Sequence, residues 1–182
     1  MEKIFCIGMF KTGTTSMGKA FEILGYKTLN GPWWPKGIMI NDPFYERSEE
    51  WSLYYENIKK IIKFYDAFQD YPWMFLFREI KDWYPNSKFI LTKREPNDLA
   101  MSDIKMLKRL NHPEKDIPKK DTLIKRYVDH RKNVLDFFKN DKNFLEIDIF
   151  KGDGWDKLCN FLNKNKPSEN FPHLNKNPKL QK

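Results

Sequence analysis

Lys11-Thr12-Gly13-Thr14-Thr15-Ser16 places one ammonium group, one glycine and four hydroxyls between an apolar run, Ile4-Phe5-Cys6-Ile7, and a stretch with helical periodicity. A strand, a glycine-containing turn and a helix start in that order form an anion site. The first amides of a helix have no acceptor inside the helix, and the helix dipole adds partial positive charge at the same point. Gly13 lets the backbone curl around a ligand, and Thr14, Thr15 and Ser16 add hydroxyl donors. The expected ligand is a phosphate or a sulfate.

Gly8 and Gly13 have the spacing of a Gly-x4-Gly-Lys-Ser/Thr loop, but position 14 is Thr where that loop requires lysine. Here the lysine, Lys11, enters from the opposite end. A nucleoside triphosphatase needs its lysine on the β- and γ-phosphates and a hydroxyl plus an acid on magnesium. No strand of this sequence ends in an aspartate suited to that task. The departure therefore argues against magnesium-ATP chemistry, and a kinase-like enzyme with a displaced lysine is the alternative.

A second constellation is Lys88-Phe89-Ile90-Leu91-Thr92-Lys93-Arg94, an apolar strand ending in a guanidinium, followed by Pro96 and a helix that carries Ser102. A guanidinium fork grips a phosphate through two bonds, and a hydroxyl near a helix start adds a neutral donor. The plainer readings are an ion pair of Arg94 with Glu95 or Asp98, and an ordinary helix serine.

Together these segments resemble the sulfotransferases that use 3'-phosphoadenosine 5'-phosphosulfate (PAPS). Their loop for the 5'-phosphosulfate reads Lys-x-Gly-Thr-Thr followed by Ser or Trp, which Lys11 to Ser16 match position by position. Their 3'-phosphate site is an Arg at a strand end and a Ser eight positions later, as Arg94 and Ser102 are here. The small branch of the family also carries Asp-x-Pro, here Asp70-Tyr71-Pro72. A Gly-Trp-x2-Leu-Cys-x-Phe-Leu segment, here Gly154 to Leu162, reads as a packing signature. The resemblance runs from residue 4 to about residue 175.

The resemblance implies that PAPS is the donor and adenosine 3',5'-bisphosphate (PAP) the product, with no metal required. It implies that Lys11 neutralises the leaving phosphate, because a sulfuryl group carries less negative charge than a terminal phosphate. Asp70 occupies the place of the histidine base of cytosolic members. An aspartate with an ordinary pKa of about 3.9 is ionised at neutral pH and accepts a proton, weakly unless its site raises that value. Asp66 is the second candidate base, and the structural alternative for Asp70 is to cap a helix beginning near Pro72. Many members have Trp in place of Ser16, stacked on adenine, and a late Arg-Lys-Gly segment at the 3'-phosphate. Neither is present, which leaves Tyr127 as a candidate base contact and Lys176 or Lys179 as candidate replacements. His130, three residues after Tyr127, reads as a half-buried helix histidine, with a nucleotide or acceptor contact as the alternative that the family's Tyr-x2-His implies, and His112 and His173 have no spacing suited to zinc.

The elements that must position these groups alternate. Runs 4–8, 66–69, 88–92 and 144–149 read as buried strands, and 14–24, 97–110, 122–139 and the run from Trp155 to Leu162 as helices. Alternation of this kind predicts an α/β fold of three layers, a mostly parallel sheet flanked by helices, and the resemblance implies that it is of the P-loop nucleoside triphosphate hydrolase type. Residues 30–46 read as a long aromatic-rich loop leading into a helix near 49–64, and the segment after Pro167 as irregular. Trp33, Trp34, Phe44, Tyr45, Trp51, Tyr54 and Tyr55 crowd this region, as an acceptor pocket, a sugar platform or simple core packing.

With 182 residues, 40% hydrophobic and 16% aromatic, the chain is long enough for one domain, 1–182, with a sizeable core. Lys and Arg outnumber Asp and Glu by 33 to 25, a net charge of +8. That balance suits an anionic ligand, but no nucleic-acid recognition motif accompanies it. There is no apolar run of about 18 residues and no basic leader followed by an apolar stretch, so neither membrane spanning nor secretion is expected. Cys6 and Cys159 read as buried thiols of a reducing compartment, and the expected location is cytoplasmic. The unidentified partner is then a small-molecule or sugar acceptor with a hydroxyl or amine. A catalytically silent nucleotide-binding protein would keep the same loops without turnover.

Overall fold

The computed structural model describes residues 2–31 and 50–174. Its centre is strand β1 (Ile4–Cys6), in which alternate side chains point to opposite faces. Phe5 and, just beyond the strand, Ile7 join one core, with Ile58, Trp73, Ile80, Val134 and Phe138. Ile4 and Cys6 join the other, with Met17, Phe21, Trp155 and Leu158. A strand apolar on both faces has to be covered twice, as in parallel sheets.

The strands are β1, β2 (Thr28–Asn30), β3 (Ala67–Gln69), β4 (Lys88–Thr92) and β5 (Phe144–Ile147), in spatial order β2-β3-β1-β4-β5. All four pairings are parallel, and Ile4 lies opposite both Ala67 and Lys88. Among the described residues, six helices flank the sheet: α1 (Thr14–Ile23), α2 (Glu50–Ile62), α3 (Phe77–Trp83), α4 (Pro96–Arg109), α5 (Lys120–Phe137) and α6 (Trp155–Leu162). The expected α/β architecture is therefore present. The rings of Phe68 and Phe89 lie 4.6 and 5.7 Å from that of Phe5, and all three are fully buried. Each such burial contributes about 1.5–3 kcal/mol of transfer free energy.

Several boundaries differ from the sequence expectation. β1 ends at Cys6, and although Ile7 N still donates to Ile90 O at 2.8 Å, Gly8 belongs to the loop. β5 ends at Ile147. Asp148 then accepts from the amides of Phe150 and Lys151 and closes a 3-10 turn, Ile149–Lys151. β2 was not expected; its three residues are half polar and pair with β3 at the sheet edge. No helix starts near Pro72. Trp73 N reaches back to Asp70 O and Phe75 N to Pro72 O, making turns, and α3 begins only at Phe77. The stretch from Pro167 to Leu174 is irregular, as expected, and α2 provides the helix expected near 49–64. Trp33, Trp34, Phe44, Tyr45, Lys176 and Lys179 lie outside the described residues. Tyr55 packs edge-on against Trp83, and its hydroxyl donates to Glu79 at 3.2 Å.

Candidate active site

A parallel sheet brings the ends of its strands to one edge, and the predicted groups follow β3, β1 and β4 there, joined by an unpredicted segment after β5. Neighbouring strands lie about 4.8 Å apart. Asp70 stands at one side, the loop from Gly8 to Ser16 in the middle, Arg94 next, and Asp148 to Lys151 beyond it.

The middle loop is held tightly. A Cβ on Gly8 would lie 1.9 Å from Thr92 Oγ1 and 2.8 Å from Thr92 O, so only glycine lets β1 leave the sheet beside β4. Thr12 Oγ1 donates to Met9 O at 2.5 Å and meets Thr92 Oγ1 at 2.7 Å, and the residue is fully buried. Its side chain closes the loop. Gly13, at φ 95, precedes α1, and that helix start carries no side-chain cap. The first helical bond runs from Met17 N to Gly13 O at 3.0 Å, which leaves the leading amides for a ligand. Thr15 is exposed, whereas Thr14 and Ser16 are buried. Ser16 Oγ accepts from Leu174 N at 2.9 Å and keeps its own hydroxyl proton to donate.

Lys11 also has a positive φ, 65. Its Nζ lies 3.6 Å from Met106 Sδ on α4. Burial lowers the ammonium pKa below its ordinary value, the Asp103 carboxylate pushes it back up, Arg109 and Arg94 lower it again, and Asp70 raises it. Asp103, one turn before Met106 on α4, is itself half-buried and held above the ordinary carboxylate range by burial, against Lys11 and Arg126. It could not be singled out from sequence, because a lone helix aspartate carries no spacing signal.

Arg94 joins the two constellations. Its NH1 donates to Lys11 O at 3.0 Å, and its guanidinium lies over the Phe150 ring, 4.3 Å from the centroid. Its Nε is buried and without a partner. Arg94 N donates to the Tyr127 hydroxyl at 3.1 Å, and that hydroxyl donates to Arg94 O at 2.9 Å. The guanidinium is thus aimed at the loop rather than at Glu95. Ser102 sits partly exposed in the second turn of α4. Phe150, 49% exposed, was not singled out from sequence, since its position depends on the 3-10 turn that Asp148 caps.

Asp70 follows β3 with φ 73, and its Oδ1 accepts from Tyr71 N at 2.9 Å. Burial raises its carboxyl above the ordinary value, while the Tyr71 amide and Lys11 pull it down. It caps no helix. Asp66, the second candidate base, precedes β3 and accepts from Lys27 N at 3.1 Å. Four residues of extended chain, about 13 Å, separate it from Asp70, so the fold keeps it at the opposite end of the sheet.

His130 is buried on α5, with Nε2 2.9 Å from Ile7 O and the rings of Phe75 and Phe77 edge-on to it. Tyr127 is 2% exposed. Both are packed beneath the loops, and Tyr127 also lines the cleft beside Arg94. Beside Arg94 a cleft of about 360 Å³ opens between Pro96, Tyr127, Arg131, Lys132 and Lys151. Among the described residues no cluster of His, Cys, Asp and Glu is arranged to hold a metal, and no helix is long and apolar enough to cross a membrane. Cys6 and Cys159 are buried free thiols, and burial pushes the Cys6 thiol up to about 12.

A central β1, a glycine loop and an uncapped α1 in a parallel 2-3-1-4-5 sheet define a P-loop-like α/β protein. The model of the sulfotransferase domain family matches residues 3–117 and 101–180, and the chain belongs to that family. No curated protein matches it.

Proposed function

We propose that this sulfotransferase domain uses PAPS and passes its sulfuryl group to a hydroxyl or amine acceptor, releasing PAP. The bond from Arg94 NH1 to Lys11 O carries the reading, because it sets two anion-binding groups side by side on neighbouring strands. One is the uncapped start of α1 with the hydroxyls of Thr14, Thr15 and Ser16. The other is a guanidinium with a buried, unpaired Nε. A ligand with two separate anionic groups, one at the 5' and one at the 3' position of a nucleoside, fits this pair better than a linear triphosphate.

In this reading the amides of Gly13 to Ser16 and the Lys11 ammonium hold the 5' group, while Arg94 and Ser102 hold the 3'-phosphate. Thr12 contributes the path of the loop through its bonds to Met9 and Thr92. When bound, the donor supplies an activated sulfuryl group. Lys11 keeps positive charge where the leaving phosphate oxygen gains negative charge, a form of preorganised electrostatic stabilisation. Asp70, across β1 from Arg94, takes the proton of the acceptor at its free carboxylate oxygen. Its raised pKa makes it a better base than an exposed aspartate.

Calorimetric titration with PAP and with magnesium-ATP, on the wild type and on Arg94→Ala, tests the proposal. PAP binding that Arg94→Ala abolishes is expected. Binding of magnesium-ATP alone would overturn the reading in favour of a kinase, and PAP binding without transfer to any acceptor would mark a silent nucleotide-binding protein.

A further inference from the structure

Two side chains of α5 reach the main chain where β1 and β4 run out into the two anion-binding segments, His130 at Ile7 and Tyr127 at Arg94. The Tyr127 hydroxyl spends its full capacity on Arg94, accepting from N and donating to O. No other uncharged side-chain group of that length does both at once. One turn later His130 Nε2 meets Ile7 O, the last carbonyl before Gly8. A carbonyl only accepts, so Nε2 carries the proton. Residues three apart share a helix face, and α5 is itself fixed by Val134 and Phe138 in the core.

We propose that Tyr127 and His130 are positioning residues of the donor site, a two-point strut that sets the separation between the anion site at the start of α1 and the one at Arg94. The inference rests on the two-anion reading above. The groups held are backbone groups, so the strut fixes where the Arg94 side chain starts and where the loop leaves β1. Neither side chain needs to touch the nucleotide. Thr92 on β4 ties the middle of the α1 loop through Thr12, and Arg94 reaches Lys11 O through its flexible side chain; Tyr127 and His130 add a brace from outside the sheet, on the face of α5.

The test compares three ligands by calorimetry: PAP, adenosine 3'-monophosphate and adenosine 5'-monophosphate. Tyr127→Phe is expected to weaken the two ligands that carry a 3'-phosphate by about tenfold, as loss of hydrogen bonds to buried backbone groups does, and to change the 5'-monophosphate by less than about twofold. His130→Phe is expected to weaken the 5'-monophosphate, and His130→Gln, which keeps a donor, to restore it. In an Arg94→Lys background, which still binds PAP but has lost the guanidinium fork, Tyr127→Phe is expected to weaken PAP by less than about twofold. Equal losses across all three ligands, no loss, or an undiminished effect in that background would overturn the strut. Hydrogen exchange at the Arg94 amide of the wild type needs no variant: protection is expected, and fast exchange overturns the strut. Wild type that binds PAP no better than either monophosphate would instead overturn the two-anion reading.

Discussion

Gly13→Ala is the substitution whose cost the structure defines most closely. Gly13 has φ 95, where a side chain costs about 1–2 kcal/mol. Its new Cβ would also lie 2.2 Å from Ile149 Cδ1 and 3.0 Å from Ile149 Cγ1. Ile149 is buried and cannot swing into solvent, so this overlap adds about 1–3 kcal/mol. A smaller loss of freedom in the unfolded chain offsets about 0.4–1 kcal/mol. A net loss of about 1–5 kcal/mol follows, which at about 2–4 °C per kcal/mol lowers Tm by about 2–20 °C. Urea unfolding followed by tryptophan fluorescence measures it. Ile149→Val, which removes Cδ1, is expected to cost about 0.5–1.5 kcal/mol alone and to relieve the worst contact in the double variant. The double variant should therefore be at least about 1 kcal/mol more stable than the two single losses predict. Additivity within about 0.5 kcal/mol, the behaviour of independent sites, would refute the packing of the 3-10 turn against the loop.

Arg94→Lys keeps a charge but loses the fork and the contact with Phe150, so PAP affinity should fall about 10–100-fold by calorimetry, about 1.4–2.8 kcal/mol. Asp70→Asn preserves the bond to Tyr71 N and tolerates φ 73, so turnover should fall about 10²–10⁴-fold while Tm stays level or rises, because a buried charge is removed. In the wild type, kcat/KM should decline as pH falls through the raised pKa of Asp70, above the range of an exposed carboxylate. Burial lowers the His130 pKa in the folded chain. The unfolded chain thus takes up that proton first, and stability present above about pH 6.5 should be lost as pH falls. Asp70 and Asp103 act with the opposite sign at lower pH, so the His130 share is read from the difference in melting between wild type and His130→Gln.

The loop from Lys11 to Ser16, Arg94 and Asp70 were legible because each follows an apolar strand in sequence, and a parallel sheet gathers such strand ends at one edge. Ser102 entered only through the resemblance, and the structure sets it partly exposed in the second turn of α4. What stayed hidden depends on contacts between distant residues. Tyr127 and Arg94 are 33 positions apart, and nothing local shows that the phenol holds the Arg94 backbone. Thr12 looks like its hydroxyl neighbours, yet the close approach of Thr92 turns it inward. β2 was invisible because Thr28-Leu29-Asn30 is short and half polar, and it becomes a strand only by pairing with β3. The apparent helix at Pro72 failed because Asp70 and Pro72 carbonyls are captured by turn amides. Phe150 looks like the continuation of a strand, but the Asp148 cap bends the chain before it.

The strand that launches the loop is first in the chain and middle in the sheet, and this sets an order of assembly. Ile4 pairs with Ala67 and with Lys88, and Ser16 meets a partner 158 residues further on. At a synthesis rate of about 5–20 residues per second, β1 waits roughly 4–17 s for its second neighbour. Throughout that interval Ile4-Phe5-Cys6 is an apolar strand with an open edge, the condition in which chains pair wrongly. The nascent chain is therefore most exposed to misassembly at the strand that leads into the candidate site.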